Sequence, residues 1–433
     1  MNPRPRRQTN ANRHSCGLNR TIFLILGLIM FAVPRTQAQT YSVIHAFTGS
    51  DGSSPAGLTM DRVGHLFGTT AAGGNTDRGT VFRLVNNNGN WILNPLYSFA
   101  GGQDGWEPTS GVIISPSGTL YGATSVGGNY CLAGAGCGTL FQLTPPPTAC
   151  VTVVCPWSKK TVYAFSGSDG QSPSGGLALD QVGNIYGTTE SGGLYEEYCT
   201  EGCGVVFQLS PRNGGWVESL LHEFTDGSDG EGPSGGVVLD SSANLYGTAT
   251  LGGRGCHSLG CGTVFQLAQS GSNWQMNILY SFSGEPDGQY PTAGVVLDTA
   301  GNLYGVTYQG GLGGGGTAFE LMPSSGTWMF DLLYSFAGTP DPFANLTLDA
   351  AGDIYGTTYY GGPYGNGTVF KLMRGINGWT YEELHGFTGG LDGAKPRGSV
   401  IVDAEGNLYG TAEAGGGTGC NGQGCGVVWE IRP

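Results

Sequence analysis

The chain has 433 residues, of which 81 are glycine and 22 are proline, a content close to that of low-complexity sequences. Aromatic residues (11%) and apolar residues as a whole (39%) are nevertheless spread along the chain, which argues against a disordered protein. The net charge of −14 disfavours binding to nucleic acid or to an anionic membrane surface, so we expect neither partner.

The first element in chain order is an N-terminal export signal. Five arginines among the first 20 residues precede an apolar run from Thr21 to Val33, and a small-residue site follows at 36–38. This arrangement is typical of a secretory signal peptide, and the run is shorter than the roughly 20 residues that span a bilayer. We predict a signal peptide over residues 1–38, cleavage after Ala38, and a secreted or cell-surface chain without a membrane span.

The cysteines come next, and ten of the eleven follow the predicted signal peptide in five close pairs. An even number of cysteines in an exported chain predicts disulfides. Zinc sites commonly use a C-x2-C spacing, whereas three to five residues separate these cysteines, so we expect no metal site. The predicted local disulfides are Cys131–Cys137, Cys150–Cys155, Cys199–Cys203, Cys256–Cys261 and Cys420–Cys425.

A repeat runs through the chain after the predicted signal peptide. Each unit contains an LYSF-like segment, a D-G-x-x-P loop, a D-x-x-G-N-L-Y-G-T segment, a Gly-Gly pair, a G-T-V-F-x-L segment and, in most units, an N-x-W turn. A period near 50 residues indicates a propeller or a solenoid. The aromatic-Gly steps of the seven units begin at Phe67, Tyr121, Tyr186, Tyr246, Tyr304, Tyr355 and Tyr409.

Each unit contains four short segments with the composition of β-strands, bounded by Gly, Asn, Asp or Ser. Four antiparallel strands per repeat make one propeller blade. The last unit ends after its third strand, and Tyr41–Phe47 is a fourth-type strand without three strands before it. The predicted fold is therefore an all-β, seven-bladed β-propeller of four-stranded antiparallel blades, closed by the N-terminal strand. It occupies residues 39–433 as a single domain and is expected to be monomeric.

This combination of motifs, from LYSF through D-G-x-x-P and D-x-x-G-N-L-Y-G-T-T-x-x-G-G to G-T-V-F-x-L, resembles the GloVer tandem repeat of bacterial choice-of-anchor extracellular proteins. The resemblance covers essentially residues 41–433. It implies an exported, repeat-built extracellular or surface protein. The family supplies no catalytic residues and no cofactor.

The strand order assigns the loops to two faces. The D-G-x-x-P loops and the Gly-Gly/Cys loops lie together on one face and differ from blade to blade, so we call it the variable face and expect function there. The repeated loop aspartates are interpreted as Asx turns rather than a calcium ring, because calcium needs six to eight converging oxygens. These aspartates are Asp51, Asp104, Asp169, Asp229, Asp287, Asp341 and Asp392.

Other repeated residues also favour structural roles. Aspartates at the end of the first strand, such as Asp240, cap a tight turn. His45, His222 and His385 occupy the position that tyrosine has in other blades, which favours packing over proton transfer. Neither of the two other histidines in the mature chain, His65 and His257, has a recognisable nucleophile motif nearby.

Residues that interrupt the repeat are better candidates for function. Exposed aromatic side chains suit sugar rings, and the proposed ligand is therefore extracellular polysaccharide or another surface polymer. The alternatives are a polysaccharide lyase or glycoside hydrolase, for which Glu190, Glu196, Glu197, Glu201 and Glu413 are candidate acids, and a purely structural or adhesive protein. The candidate ligand-binding aromatics are Trp106, Tyr130, Tyr195, Tyr198, Tyr290, Tyr308, Tyr359, Tyr360 and Tyr364.

Overall fold

The computed structural model describes residues 39–131, 134–147, 156–196, 199–256, 259–271, 273–376 and 378–433. In these ranges the chain forms seven four-stranded antiparallel sheets, which are the blades of a seven-bladed β-propeller, as the repeat predicted. None of the helical segments in the same ranges is long and apolar enough to cross a membrane. The predicted signal peptide, residues 1–38, and the predicted disulfide Cys150–Cys155 lie outside the described residues.

In each of the first two blades, the four strands lie side by side in the order in which they occur in the sequence. The first strand of each blade lies nearest the propeller axis. The strand bounds are β2 (Ser53–Met60), β3 (Leu66–Ala72), β4 (Thr80–Asn87) and β5 (Asn90–Ser98) in blade 1, and β6 (Ile113–Ile114), β7 (Leu120–Thr124), β8 (Thr139–Thr144) and β9 (Ser158–Ala164) in blade 2.

Blades 3 to 5 repeat this arrangement. Their strands are β10 (Ala178–Leu179), β11 (Ile185–Thr189), β12 (Val205–Arg212) and β13 (Gly215–Glu223) in blade 3, β14 (Val237–Leu239), β15 (Leu245–Ala249), β16 (Thr263–Ser270) and β17 (Asn273–Ser281) in blade 4, and β18 (Val296–Leu297), β19 (Leu303–Thr307), β20 (Gly314–Ser324) and β21 (Thr327–Ala337) in blade 5.

Blade 7 differs from blade 6 because its outermost strand comes from the N-terminal side of the chain. The short 3-10 turns Gly102–Asp104 and Cys420–Gly422 lie in loops. The strands are β22 (Thr347–Leu348), β23 (Ile354–Thr358), β24 (Thr368–Gly375) and β25 (Gly378–Gly386) in blade 6, and β26 (Ile401–Val402), β27 (Leu408–Ala412), β28 (Val427–Arg432) and β1 (Thr40–Ala46) in blade 7.

The aromatic-Gly step of the repeat has a packing cause. In blade 4, Gly247 of β15 lies opposite Phe265 of β16, whose ring is fully buried. A Cβ atom on Gly247 would lie 2.6 Å from a ring atom of Phe265. The same clash would occur at the corresponding glycine of every blade, with Trp429 replacing phenylalanine in blade 7. Each blade therefore needs glycine at this step so that the central strands can cover the large side chain.

The ring is closed between blade 7 and blade 1 by strand pairing and by hydrogen bonds. Strand β1 pairs with β28 along its length, as the sequence predicted. The Thr411 hydroxyl donates to the Ala56 carbonyl (3.0 Å), and the Ser54 amide donates to the Cys425 carbonyl (3.0 Å). Closure therefore gives the N-terminal strand a partner in blade 7, and hydrogen bonds join blade 7 to blade 1.

Six of the loop aspartates bind the outermost strand of the preceding blade, which comes directly before their loop in the chain. Each accepts a hydrogen bond from a tyrosine, or pairs with a histidine, on the preceding strand; the Tyr163 hydroxyl, for example, lies 2.6 Å from Asp169. Aspartate side chains also accept loop amides, such as Ser166 N–H (2.7 Å). These contacts explain why histidine and tyrosine interchange at the strand position. The other pairs are His45–Asp51, Tyr97–Asp104, His222–Asp229, Tyr280–Asp287 and His385–Asp392.

Asp341 corrects the predicted set of loop aspartates. In blade 6 it directly precedes Pro342, whereas each other aspartate lies four residues before its loop proline. The blade 6 loop lacks the Asp-Gly step, so Asp341 occupies the position just before the proline. Its side chain is buried beside Tyr308 rather than paired with a residue of the preceding strand. Burial raises the pKa of Asp341 above that of a free aspartate.

Blade 5 contains a buried carboxylate, Glu320, at the position where blades 2, 3 and 4 have glutamine. In blade 4, Gln266 donates to the Tyr246 hydroxyl (2.9 Å), which in turn donates to a turn aspartate. In blade 5 the single hydroxyl proton of Tyr304 faces both Glu320 (2.8 Å) and Asp298 (3.2 Å). Glu320 is fully buried, and its second oxygen has no hydrogen-bond partner among the described residues.

We therefore expect Glu320→Gln to stabilise the protein by roughly 1–3 kcal/mol, because a buried charge is removed and the amide can donate to Tyr304. The free energy of unfolding, measured by denaturant titration, should rise. Gln266→Glu is the matched control and should lower it by a comparable amount. A lower free energy of unfolding for Glu320→Gln would contradict this expectation and would show that Glu320 makes a stabilising contact.

Candidate ligand site at the axial mouth

A cavity of about 720 Å³ lies on the propeller axis at the variable face, and residues of all seven blades line it. We call it the axial cavity. Its wall is built from the residue that follows the loop proline in each blade, because this residue leads into the innermost strand. These residues are Ala56, Thr109, Ser174, Ser234, Thr292, Phe343 and Arg397.

The residue before the loop proline is held in the left-handed backbone conformation in all seven blades. This conformation favours glycine and costs other residues on the order of 1 kcal/mol, yet only blade 4 has glycine there. Because the conformation recurs while the side chain changes, the backbone is imposed by the fold and the side chain is free to differ. The residues and their φ angles are Ser54 (53°), Glu107 (61°), Ser172 (56°), Gly232 (64°), Tyr290 (59°), Asp341 (50°) and Lys395 (57°).

Disulfides support this left-handed position between neighbouring blades. The amide of Ser172 donates to the Cys137 carbonyl (2.9 Å) of the preceding blade, and the amide of Tyr290 donates to the Cys261 carbonyl (2.8 Å). The carbonyl of the second cysteine in each described pair accepts such a bond. Each disulfide therefore stabilises a loop that is hydrogen-bonded to the next blade. The described disulfides are Cys131–Cys137, Cys199–Cys203, Cys256–Cys261 and Cys420–Cys425.

Hydroxyl groups line one side of the axial cavity. The hydroxyl oxygens of Thr109, Ser110, Ser174 and Thr292 are buried within the described structure but have no hydrogen-bond partner there. They belong to blades 2, 3 and 5. Buried polar groups are normally satisfied by protein, water or ligand, so the wall of the cavity contains hydroxyls whose hydrogen-bonding capacity is unused.

An aromatic side chain and a cation lie on the other side, in blades 6 and 7. The Arg397 guanidinium is 5.1 Å from the centre of the Phe343 ring, and the Tyr308 ring packs edge-on against Phe343 at 6.2 Å. Arg397 is exposed and makes no ion pair within 4.0 Å to any described residue. The cavity thus combines an apolar face with a free cationic hydrogen-bond donor.

Carboxylates also reach the axial cavity, namely Glu107 of blade 2 and Glu190 of blade 3. Glu190 remains in contact with solvent, but the surrounding protein raises its pKa above that of a free glutamate, and the charge of Arg397 opposes this rise. Glu413 lies beyond the cavity, where it accepts a hydrogen bond from the Tyr359 hydroxyl (3.0 Å). Burial and this carboxylate both raise the pKa of Tyr359.

The predicted aromatics separate into an inner and an outer group. Tyr308 and Tyr359 lie near the mouth, and Lys395 is 5.8 Å from the Tyr359 ring and 5.9 Å from the Tyr360 ring. Trp106 lines a smaller neighbouring cavity. Tyr130, Tyr195 and Tyr364 are exposed and line none of the cavities at the mouth. Tyr290 is half-buried and also lines none of them.

Some predicted residues do not join the site, and others were missed. Glu196 and Glu201 are exposed and line neither cavity. Tyr198 and Glu197 lie outside the described residues. Phe343, Arg397 and the four cavity hydroxyls were not predicted from the sequence. Aligning the loops on their prolines would have placed all of these residues except Ser110 at corresponding positions around one axis.

The fold and the mouth together define a seven-bladed β-propeller with an axial cavity. The model of the Gloeobacter/Verrucomicrobia repeat matches residues 27–199 and 254–433, and the chain belongs to this family. No curated protein matches the chain. In the described parts of the chain, no group of three or more His, Cys, Asp or Glu side chains is arranged to hold a metal ion.

Solved structures share the fold at low sequence identity. The extracellular domain of a protein assigned as a one-component system from B. thetaiotaomicron is 12% identical, with a TM-score of 0.50, over 91% of this chain and 42% of that chain. The PQQ-bound aldose sugar dehydrogenase of Streptomyces coelicolor is 13% identical, with a TM-score of 0.42, over 91% and 98%. A protein of unknown function from Dyadobacter fermentans is 13% identical, with a TM-score of 0.40, over 92% and 100%. These similarities show the fold alone.

Proposed function

We propose that this protein is a secreted, non-catalytic binding protein that recognises carbohydrate in its axial cavity. Export is supported by the N-terminal sequence pattern of residues 1–38 and is compatible with the four disulfides. N-terminal sequencing of secreted protein, with Gln39 expected as the first residue, tests this part of the proposal.

One observation supports the ligand class most strongly: unpartnered hydroxyls and an aromatic ring line the same cavity. After rotation of their side chains toward the cavity, the buried hydroxyls of Thr109, Ser174 and Thr292 can exchange hydrogen bonds with sugar hydroxyls. The Phe343 ring offers a surface for the apolar C–H face of a sugar. Arg397 adds donors for ring or carboxylate oxygens. The cavity volume of about 720 Å³ is within the usual range of small-molecule sites.

We expect Phe343→Ala to weaken carbohydrate binding about tenfold or more, because an aromatic surface at the centre of the site is lost. The measurement is isothermal titration calorimetry with monosaccharides and hexasaccharides of glucose, xylose, mannose, N-acetylglucosamine and galacturonic acid. Tyr364→Ala is the control, since Tyr364 is exposed on the same face and lines neither cavity. Wild-type protein that binds none of these saccharides would argue against the proposal.

A polysaccharide-cleaving enzyme is the second candidate, because Glu107 and Glu190 line the same cavity and the raised pKa of Glu190 suits a general acid. Incubation of the same hexasaccharides with the protein distinguishes the two functions. Release of new reducing ends or unsaturated ends, abolished by Glu190→Gln, would favour the enzyme. Intact hexasaccharides that remain bound favour the binding protein.

A further inference from the structure

We propose that the ligand is the end of a sugar chain, whose terminal unit occupies the axial cavity while the following units run outward over blade 1, past Trp106. This inference rests on the proposed carbohydrate function and adds the direction and length of the bound chain. Three observations support this proposal: a second cavity, the small side chains of blade 1, and the position of Trp106.

The second cavity, of about 310 Å³, adjoins the axial cavity, and we call it the side cavity. The two cavities share Ala56, Glu107, Thr109 and Arg397 as lining residues. The two cavities are therefore adjacent at these four residues, which is where a ligand that extends beyond the axial cavity would enter the side cavity.

Blade 1 leaves the opening because its side chains are small at the positions that line the mouth. After the loop proline it has Ala56, and near the end of its second strand it has Ala71, which are the smallest residues among the seven blades at these two positions. The corresponding pairs are Phe343 and Tyr359 in blade 6 and Arg397 and Glu413 in blade 7. The side chains at the rim of the mouth are therefore short in blade 1 and long in blades 6 and 7.

Trp106 forms one wall of the opening, on blade 2. Its backbone is fixed by two hydrogen bonds to Val126, Trp106 N–H to Val126 O (3.1 Å) and Val126 N–H to Trp106 O (3.4 Å). The Arg78 guanidinium lies 4.2 Å from the centre of its ring, which holds the indole in place. The corresponding loop residues of blades 3 and 5 are Gln171 and Gln289, so the repeat does not require an aromatic residue here.

The chemistry of the side cavity fits further sugar units. The indole of Trp106 offers a surface on which a sugar ring can stack. Asp77, Glu107 and Glu413 line the same cavity and provide oxygens that accept hydrogen bonds from sugar hydroxyls. An aromatic wall with acceptors beside it repeats the combination found in the axial cavity, which is what a chain of similar units requires.

The test compares each hexasaccharide named above with its monosaccharide, using calorimetry on the intact mature protein. Ala71→Trp fills the side cavity, and Trp106→Ala removes its aromatic wall. We expect the wild type to bind one hexasaccharide about tenfold or more tightly than the monosaccharide. Both variants should remove most of this preference while changing the monosaccharide affinity less than about twofold, and Tyr364→Ala should retain it.

The outcomes separate this inference from the proposed function. If mono- and hexasaccharide bind equally well, or if Trp106→Ala retains the full preference, the route over blade 1 is wrong although carbohydrate binding stands. If the wild type binds no saccharide, the proposed function itself fails. Unfolding curves are recorded for both variants, and Trp106→Ala decides the question if Ala71→Trp does not fold.

Discussion

A chain that begins at Gly49, and so lacks β1, is expected to lose its cooperative unfolding transition and to aggregate. Without β1, strand β28 becomes an open edge with unpaired amide and carbonyl groups in the last blade. The deletion also removes Phe47, which is 4% exposed, and Tyr41, which stacks on His385 with ring centres 3.7 Å apart and donates to the Asp392 carbonyl. Because these contacts join blades 6, 7 and 1, the loss should exceed about 4 kcal/mol.

Thermal unfolding followed by circular dichroism, together with size-exclusion chromatography, measures this effect. A chain beginning at Thr40 is the control and should behave like the mature protein. Adding a synthetic peptide of residues 39–48 to the shortened chain should restore part of the transition, because an edge strand can be supplied from outside. Unchanged unfolding of the shortened chain without the peptide would show that β1 does not close the ring.

The fold could be predicted from the sequence because its causes repeat. Gly247 must be glycine since Phe265 lies opposite, and six further copies of this relation produce the aromatic-Gly and G-T-V-F motifs. The isolated strand near Tyr41 was recognisable because it lacked the other strands of a blade. Such features depend on local spacing, which a single sequence displays directly.

The ligand site was harder to predict because its residues differ between blades and meet only across the axis. The four strands of blade 6 separate Phe343 from Arg397 in the sequence, and neither residue belongs to a motif within its own loop. Thr109, Ser174 and Thr292 have side chains common in loops, and only their burial without partners distinguishes them. Asp341 was misplaced because loops were matched on aspartate, whereas the shared geometry is set at the proline.

The outer aromatics illustrate the same difficulty. Tyr130 and Tyr364 interrupt the repeat as clearly as Trp106 does, yet they are 87% and 61% exposed and line neither cavity at the mouth. A break in the repeat identifies residues that the blade does not need. It does not show which of them converge, because convergence depends on how seven blades are arranged around one axis.

We propose that the axial cavity, rather than the outer part of the variable face, binds the ligand. Ser174→Trp is expected to have the largest effect on binding, since Ser174 lines the cavity at a position where an indole would project into the space that the terminal sugar occupies. Its hydroxyl has no partner in the described structure, so no protein hydrogen bond is lost. Ser50→Trp places the same side chain on an exposed residue of the same face, outside the cavities.

The decisive measurement is calorimetric titration of wild type, Ser174→Trp and Ser50→Trp with the hexasaccharide that the wild type binds most tightly, alongside their melting temperatures. We predict that Ser174→Trp weakens binding by about a hundredfold or more, equivalent to about 2.7 kcal/mol, while Ser50→Trp binds like the wild type and both variants remain folded. A folded Ser174→Trp protein that binds with wild-type affinity would contradict the axial site.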